Sequence, residues 1–226
     1  SVNQNRTPLL AGDISGTAAY PDVDIVFNGE GAIFSGNNNF GNGSLTLRES
    51  AVLQLSSPAA GGGAGVPIVL DNSGTGLMLT VDAASDFGND VTVTAPSAHV
   101  WIFSNGGGNG NTQTLHSLDI EPGNTLVIDT NHSRYQYLRL DGNMMIGAGA
   151  TVNLDQASGV FGRNTRLSIG NGASLLGSGS LTMDVAGNRL TIENGGTVAP
   201  GESIGTLTLQ NVVFADGSNL AIELEN

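Results

Sequence analysis

Several residue types that chains of this length normally use are missing or rare here. The 226 residues include no cysteine and no lysine, seven prolines and a single tryptophan. Without cysteine the chain has no disulfides and no thiolate metal sites. No apolar run approaches the roughly 18 residues of a spanning helix, so we expect no membrane insertion of this segment. Apolar residues nowhere recur with helical spacing over three turns, which excludes a mainly helical fold.

Positive charge is scarce as well. Seven arginines face twenty aspartates and glutamates, which gives a formal net charge of -13. This charge repels nucleic acids and anionic membrane surfaces, and it favours neutral or basic partners. We therefore expect no nucleic-acid partner.

The abundant residues indicate strands and turns. Glycine occupies 34 positions, and short runs of Leu, Val, Ile and Thr are bounded by Gly, Asn, Asp and Ser. Such runs are typical of strands, and the residues between them are typical of turns. The sequence predicts an all-β protein.

A short pattern repeats along the chain: two aliphatic residues spaced by one, a turn, a small residue, then Ser or Thr before the next aliphatic strand. It is clearest at residues 118–126, 167–175 and 190–198, which nearly superimpose. With looser copies, the first strand of each unit is predicted to end at Leu47, Leu70, Val93, Ile120, Ile146, Ile169, Ile192 and Phe214. These ends lie 22 to 27 residues apart, and a period in this range marks a stacked-repeat architecture.

Two further strands follow the same period. The second is predicted to begin near Leu53, Leu79, Val100, Leu126, Val152, Leu175, Val198 and Leu220, and a third is visible at Leu138/Leu140, Leu181/Met183 and Leu207/Leu209. We predict a right-handed parallel β-helix of about eight coils with three short strands per coil, because parallel crossovers are almost always right-handed. Residues 1–24 are predicted as an N-terminal cap segment and residues 25–226 as the repeat domain, with a degenerate first coil at 25–34.

Alternation along the first strand predicts which side chains face outward. They are Thr46, Val69, Thr92, Asp119, Met145, Ser168, Thr191 and Val213. The inward positions are Leu, Ile and Val, so we expect an apolar column without an internal ligand cavity.

One segment carries a family resemblance. Gly195 to Leu209, with the sequence GGTVAPGESIGTLTL, closely resembles the passenger-associated strand repeat of bacterial autotransporters. The resemblance extends over about 30 residues and implies a right-handed β-helix exposed outside the cell. The expected location is therefore extracellular or at the cell surface of a Gram-negative bacterium.

No catalytic arrangement is evident from the sequence. His99, His116 and His132 are isolated from any Ser or Asp pattern, and Asp119 has Thr92 and Met145 at the equivalent positions one coil away. A polysaccharide-cleaving β-helix, in contrast, clusters acidic and basic groups on one strand face. We predict that the chain is not an enzyme and needs no cofactor.

Calcium is the one cofactor that the sequence leaves open. The aspartates considered as oxygen ligands are Asp22, Asp24, Asp82, Asp86 and Asp90. Their spacing matches no dedicated calcium loop, so solvated acidic loops are the favoured interpretation.

Two aromatic patches are candidate contacts for a glycan or a protein partner. Trp101 should point outward between inward Val100 and Ile102, and Tyr135 and Tyr137 lie beside Arg134. For Trp101, Arg134, Tyr135 and Tyr137, structural cover over the rod is an equally supported alternative.

The last strand should leave an open sheet edge. We predict an assembly edge at Leu220, Ile222 and Leu224, through which the chain self-associates end to end or continues a longer solenoid. The predicted function is a non-enzymatic extracellular structural or adhesive module, a rigid surface rod or filament subunit that can contact a host or matrix ligand. The alternative is a carbohydrate-binding or carbohydrate-cleaving β-helix.

Overall fold

The computed structural model describes residues 9–16, 22–104, 106, 110–130, 136–155, 160–162, 167–183, 188–201 and 205–223. They form a parallel β-solenoid of stacked coils, in which the chain passes in turn through three parallel sheets. The predicted all-β fold of about eight stacked parallel coils is confirmed. Strands are numbered here in chain order.

The nine-stranded sheet contains the first strand of each repeat. Its strands are β2 (Ile25–Asn28), β4 (Leu45–Arg48), β6 (Pro67–Leu70), β9 (Asp90–Val93), β12 (Ser117–Ile120), β15 (Met144–Ile146), β18 (Leu167–Ile169), β21 (Leu190–Ile192) and β24 (Val212–Phe214). Ile169 pairs with Ile192, and Ile192 pairs with Phe214. The predicted strand ends therefore fall in one parallel sheet.

The ten-stranded sheet contains the second strand. Its members are β1 (Leu9–Leu10), β3 (Ala32–Phe34), β5 (Val52–Leu55), β7 (Thr75–Thr80), β10 (Ser97–Phe103), β13 (Thr125–Thr130), β16 (Thr151–Asp155), β19 (Ser174–Gly177), β22 (Thr197–Pro200) and β25 (Asn219–Leu220). Within the segment predicted as a cap, β1 pairs with β3 and extends this sheet.

The predicted second-strand alignment was wrong by two residues at two places, between Leu79 and its neighbours Leu53 and Val100, and between Val100 and Leu126. Leu79 pairs with Leu55 and Ile102, and Val100 pairs with Leu77 and Ile128. In β7 and β10 the first buried side chains are Thr75 and Ala98, which lie before the first large aliphatic residue. Because each error is an even number of residues, these side chains still face the interior as predicted.

The six-stranded sheet forms the third side of the later coils only. It contains β8 (Ser85–Asp86), β11 (Thr112–Leu115), β14 (Tyr137–Leu140), β17 (Val160–Gly162), β20 (Ser180–Met183) and β23 (Thr208–Leu209). Before β8, the third side of the described coils carries a 3-10 turn at Pro58–Gly61 and loops instead. Three strands per coil is therefore correct from β8 onward and wrong for the earliest coils.

Buried asparagines replace the missing third strand. The side-chain nitrogen of Asn89 donates to the carbonyls of Gly61 and Val66, each at 2.9 Å, and that of Asn38 donates to the Ala60 carbonyl at 2.7 Å. These bonds satisfy backbone carbonyls that a strand would pair in a ladder. The 3-10 turn is thus held from the coil on each side.

The core is one continuous apolar cluster. Leu, Ile and Val fill it through the later coils. Three phenylalanines, each at most 1% exposed, contribute in the early coils: Phe34, Phe40 and Phe87. Phe34 contacts Phe27 edge to face, with ring centroids 5.6 Å apart.

The turn after the first strand stacks from coil to coil. In the later coils its glycine has a positive φ, for example 80° at Gly172 and 77° at Gly195, and the Gly172 amide donates to the Gly195 carbonyl at 3.1 Å. At Gly196 only glycine fits, because a Cβ there would lie 2.0 Å from the Ile169 oxygen.

Candidate functional site

A groove lies at the corner where the six-stranded sheet gives way to the nine-stranded sheet. Its volume is about 390 Å³. The polar side chains that line it are those of Asp86 on β8, Asp90 at the start of β9, His116 between β11 and β12, and Asp141 after β14. Asp86 and Asp90 flank one turn at this corner, and His116 and Asp141 lie at the same corner of the next two coils. Coil stacking therefore brings together residues that are far apart in the chain.

His116 and Asp90 form the centre of the groove. The His116 Nδ1 lies 2.7 Å from Asp90 Oδ1, and the Ser117 hydroxyl donates to the same oxygen. Partial burial acts to raise the pKa of Asp90. The hydrogen bonds from Ser117 and His116 and the charge of His116 outweigh it, so the pKa of Asp90 lies below its ordinary value.

The remaining groove carboxylates differ in their partners. Asp141 is bonded to an arginine, because Arg139 Nε donates to Asp141 Oδ1 at 2.8 Å. Asp86 is exposed on the short edge strand β8. The His116 side chain is 57% exposed. A carboxylate bonded to Nδ1 fixes the ring orientation and directs proton exchange to Nε2, which is the arrangement that acid and base chemistry requires.

This groove was not predicted, because His116 has no Asp pattern near it along the chain. Asp90 precedes His116 by 26 residues, which is one coil of the solenoid. The signal lies in the repeat itself, since polar residues one period apart occupy the same turn of neighbouring coils.

Trp101 lies on the outer face of the ten-stranded sheet as predicted. It is half-buried and stacks on His99, with ring centroids 4.9 Å apart and planes 7° apart. Its six-membered ring lies over Gly76, where a Cβ would be 2.2 Å from Trp101 Cζ3. Structural cover and ligand contact are both compatible with this position.

The second aromatic patch does not join Trp101. Tyr137 begins β14 in the six-stranded sheet, and Trp101 is on β10 in the ten-stranded sheet. Arg134 and Tyr135 lie outside the described residues, as does His132.

The aspartates considered for calcium link neighbouring coils instead. Asp22 Oδ1 accepts the Asn42 amide at 2.8 Å, and Asp24 Oδ1 accepts the Ser44 amide at 2.8 Å. In the same way, Asp82 Oδ1 accepts the Gly106 amide at 2.9 Å. Among the described residues, no group of three His, Cys, Asp or Glu side chains is arranged to hold a metal ion.

Apolar side chains are exposed at both ends of the described solenoid. Leu220 on β25 is 53% exposed and Ile222 is 64% exposed, while Leu9 at the opposite edge of the ten-stranded sheet is 61% exposed. Leu224, the third residue of the predicted assembly edge, lies outside the described residues. No helix within the described part of the chain has the length and hydrophobicity to span a membrane.

Comparison with known proteins gives no relative. The chain matches no protein-family model, and it matches neither a curated protein nor a solved structure.

Proposed function

We propose that this chain is a non-enzymatic structural or adhesive module, a stiff β-helical rod or filament subunit at the cell surface. The observation that supports this proposal is the continuous apolar column, which runs through every coil and ties each one to its neighbours. The outward positions of the nine-stranded sheet are mostly Thr, Ser and Val, and Asp119 pairs there with Thr92 and Met145. Such a rod can display binding surfaces along its sides to a partner.

The proposed location is the outside of a Gram-negative cell. It depends on the resemblance of residues 195–209 to the autotransporter strand repeat. In the fold, the described part of this motif supplies β22 and β23, which lie in two different sheets of the same coil. The proposed partners are other copies of the chain or a host or matrix ligand.

End-to-end contact is the proposed route of self-association. The edge strand β25 and the edge strand β1 belong to the same sheet, at its opposite ends, and both expose leucine. A second copy placed head to tail would continue that sheet in parallel, and such a contact propagates into a filament.

Light scattering and electron microscopy of the purified chain test this assembly. We expect concentration-dependent rods, which Leu220→Asp should shorten, whereas Met145→Asp, an exposed position on the side of the rod, should not. A monomer at every concentration contradicts the filament proposal.

The groove supports a second candidate function, a carbohydrate-binding or carbohydrate-cleaving β-helix. It places acidic groups and a histidine beside one sheet, as such a protein requires. Incubation with acidic and neutral polysaccharides distinguishes the candidates. The structural proposal expects no new reducing or unsaturated ends. Turnover that is lost in His116→Ala and Asp90→Asn but kept in Asp119→Asn would establish the second candidate instead.

A further inference from the structure

Three aromatic side chains form a row across the outer face of the rod. β10 has seven residues, and its alternating burial turns His99, Trp101 and Phe103 outward while the residues between them are buried. Each of the three is half-buried. No other described strand has more than one outward aromatic side chain. We name these three residues the aromatic row.

We propose that the aromatic row is a binding site for a neutral polysaccharide, whose apolar C–H groups pack against the exposed parts of these three rings. The proposal goes beyond the structural role, because a rod that does not assemble can still bind a glycan through its side.

The tryptophan is held in place before any ligand arrives. Its ring occupies space above Gly76 that any other residue would fill, and His99 stacks against it. Glycine within a strand is destabilising relative to alanine. Gly76 therefore lowers the stability of its strand but leaves room for the indole. Because the indole is already held in one position, it loses less conformational entropy when a ligand binds.

Polar groups adjoin the row on the next coils. Trp101 pairs with Asp129, and Asp129 pairs with Asp155. Successive strands are about 4.8 Å apart, so these carboxylates lie within one and two strand spacings of the indole. Apolar surface flanked by a few oriented polar groups is the usual composition of a small-ligand site, and it suits a sugar, which has apolar faces and hydroxyl edges.

The charge of this face selects against acidic glycans. None of the ten strands of this sheet contains an arginine, and His99 is the one residue of a basic type in its described strands. With one aspartate on each of the next two strands and a net charge of -13, an anionic polysaccharide finds no counter-charge and is repelled. A neutral chain meets no such barrier.

The length of the row favours an oligomer over a single sugar. From His99 to Phe103 the strand advances about 13 Å, at roughly 3.3 Å per residue. This distance exceeds one hexose unit. An oligosaccharide lying along β10 should therefore bind more tightly than its monomer.

The single tryptophan makes the test direct, because all indole fluorescence reports on this site. The full chain is titrated with cellohexaose, xylohexaose and mannohexaose, with glucose as the monomer and polygalacturonate as the acidic comparison. We expect a saturable change in fluorescence with at least one neutral hexasaccharide and none with polygalacturonate. Phe103→Ala should weaken that binding about ten-fold, the loss expected when one aromatic contact is removed.

Variants distinguish a binding role from structural cover. Trp101→Phe keeps an aromatic ring over Gly76, and binding by this variant and by Trp101→Ala is measured by calorimetry, with thermal melting as the check of folding. Met145→Ala, at an exposed outward position of the nine-stranded sheet, should leave binding unchanged. The proposal is overturned if no neutral hexasaccharide binds the folded wild-type chain. It is also overturned if binding survives Phe103→Ala at full strength or is lost in Met145→Ala, because the site would then lie elsewhere.

Discussion

The early and late coils of this solenoid solve the same packing problem differently. From residue 22 to 66 the described chain has two strands per coil, and two fully buried phenylalanines, Phe34 and Phe40, pack among its aliphatic core residues. The side chains of Asn38 and Asn89 bond to the 3-10 turn on its third side. From residue 117 to 215 each coil has a strand on all three sides, and its described core is aliphatic apart from Met144 and Met183. On the third side of the late coils, strand pairing satisfies the backbone carbonyls, and on the third side of the early coils asparagine side chains do so.

The comparison shows why regularity differs along the chain. A strand satisfies its own backbone through the ladder, so any aliphatic residue of suitable size serves at an inward position. A loop has no ladder, and its carbonyls need particular donors such as Asn89. The early coils therefore depend on individual residues, and the late coils depend on a pattern.

The largest effect is expected in the early core. Phe34→Ala should lower the free energy of unfolding by about 3–5 kcal/mol, because Phe34 is fully buried and contacts Phe27 and Phe40. Urea denaturation measures it. Phe214→Ala is the matched control, since that ring is 47% exposed at the end of the solenoid; an equal loss there would contradict the burial argument.

In the late core, Ile169→Ala should cost about 2–5 kcal/mol through the cavity left beside Ile192. Ser168→Ala, at the adjacent outward position, should change stability by less than about 0.5 kcal/mol. Urea titration of both variants decides the point. A loss below about 0.5 kcal/mol for Ile169→Ala would mean that the side chain does not face the core.

Asn89→Ala tests the loops of the early coils. It should cost about 1–3 kcal/mol because it leaves the buried carbonyls of Gly61 and Val66 without a side-chain donor. Asn72→Ala, at an exposed turn, serves as the control. If the two variants unfold at the same denaturant concentration, the asparagine is not holding the 3-10 turn.

The stacked turns provide a test of backbone conformation. Gly195→Ala should cost about 1–2 kcal/mol, because φ is 77° there and an L side chain is disfavoured in that region. The early turn uses Glu49 at a φ of 52°, so Glu49→Gly should be neutral or stabilising by up to about 1 kcal/mol. Thermal melting compares the two, and destabilisation of both by a similar amount would reject this explanation.

The smallest effect is the pH dependence of the groove. Because the pKa of Asp90 is lowered in the folded state, its contribution to stability is present above the ordinary value of 3.8. That contribution is lost as the pH falls through the lowered pKa. Asp90→Asn should flatten the decline in the urea midpoint below the ordinary value of 3.8. Asp119→Asn is the control, and identical profiles for wild type and Asp90→Asn would show that Asp90 makes no such contribution.

The groove marks the limit of what sequence analysis found. The repeat pattern predicts the inward aliphatic residues, because position in the coil decides burial, and those residues lie where it places them. His116 and Asp90 lie at a corner outside that pattern, and their contact depends on where two turns of different length end. The contact of Trp101 with Gly76 could not be predicted from the repeat either. Gly76 pairs with His99 in the sheet, and Trp101 reaches it diagonally from the next coil.

By itself the sequence determined the period, the first-strand register and the aliphatic core, because alternation and stacking are local rules that repeat in every coil. Only the tertiary structure decided which polar and aromatic side chains meet. The contacts of His116 with Asp90, Asn89 with Gly61 and Trp101 with Gly76 join residues about one coil apart. Their geometry is set by side-chain direction across the coil boundary, which the spacing of residues along the chain does not specify.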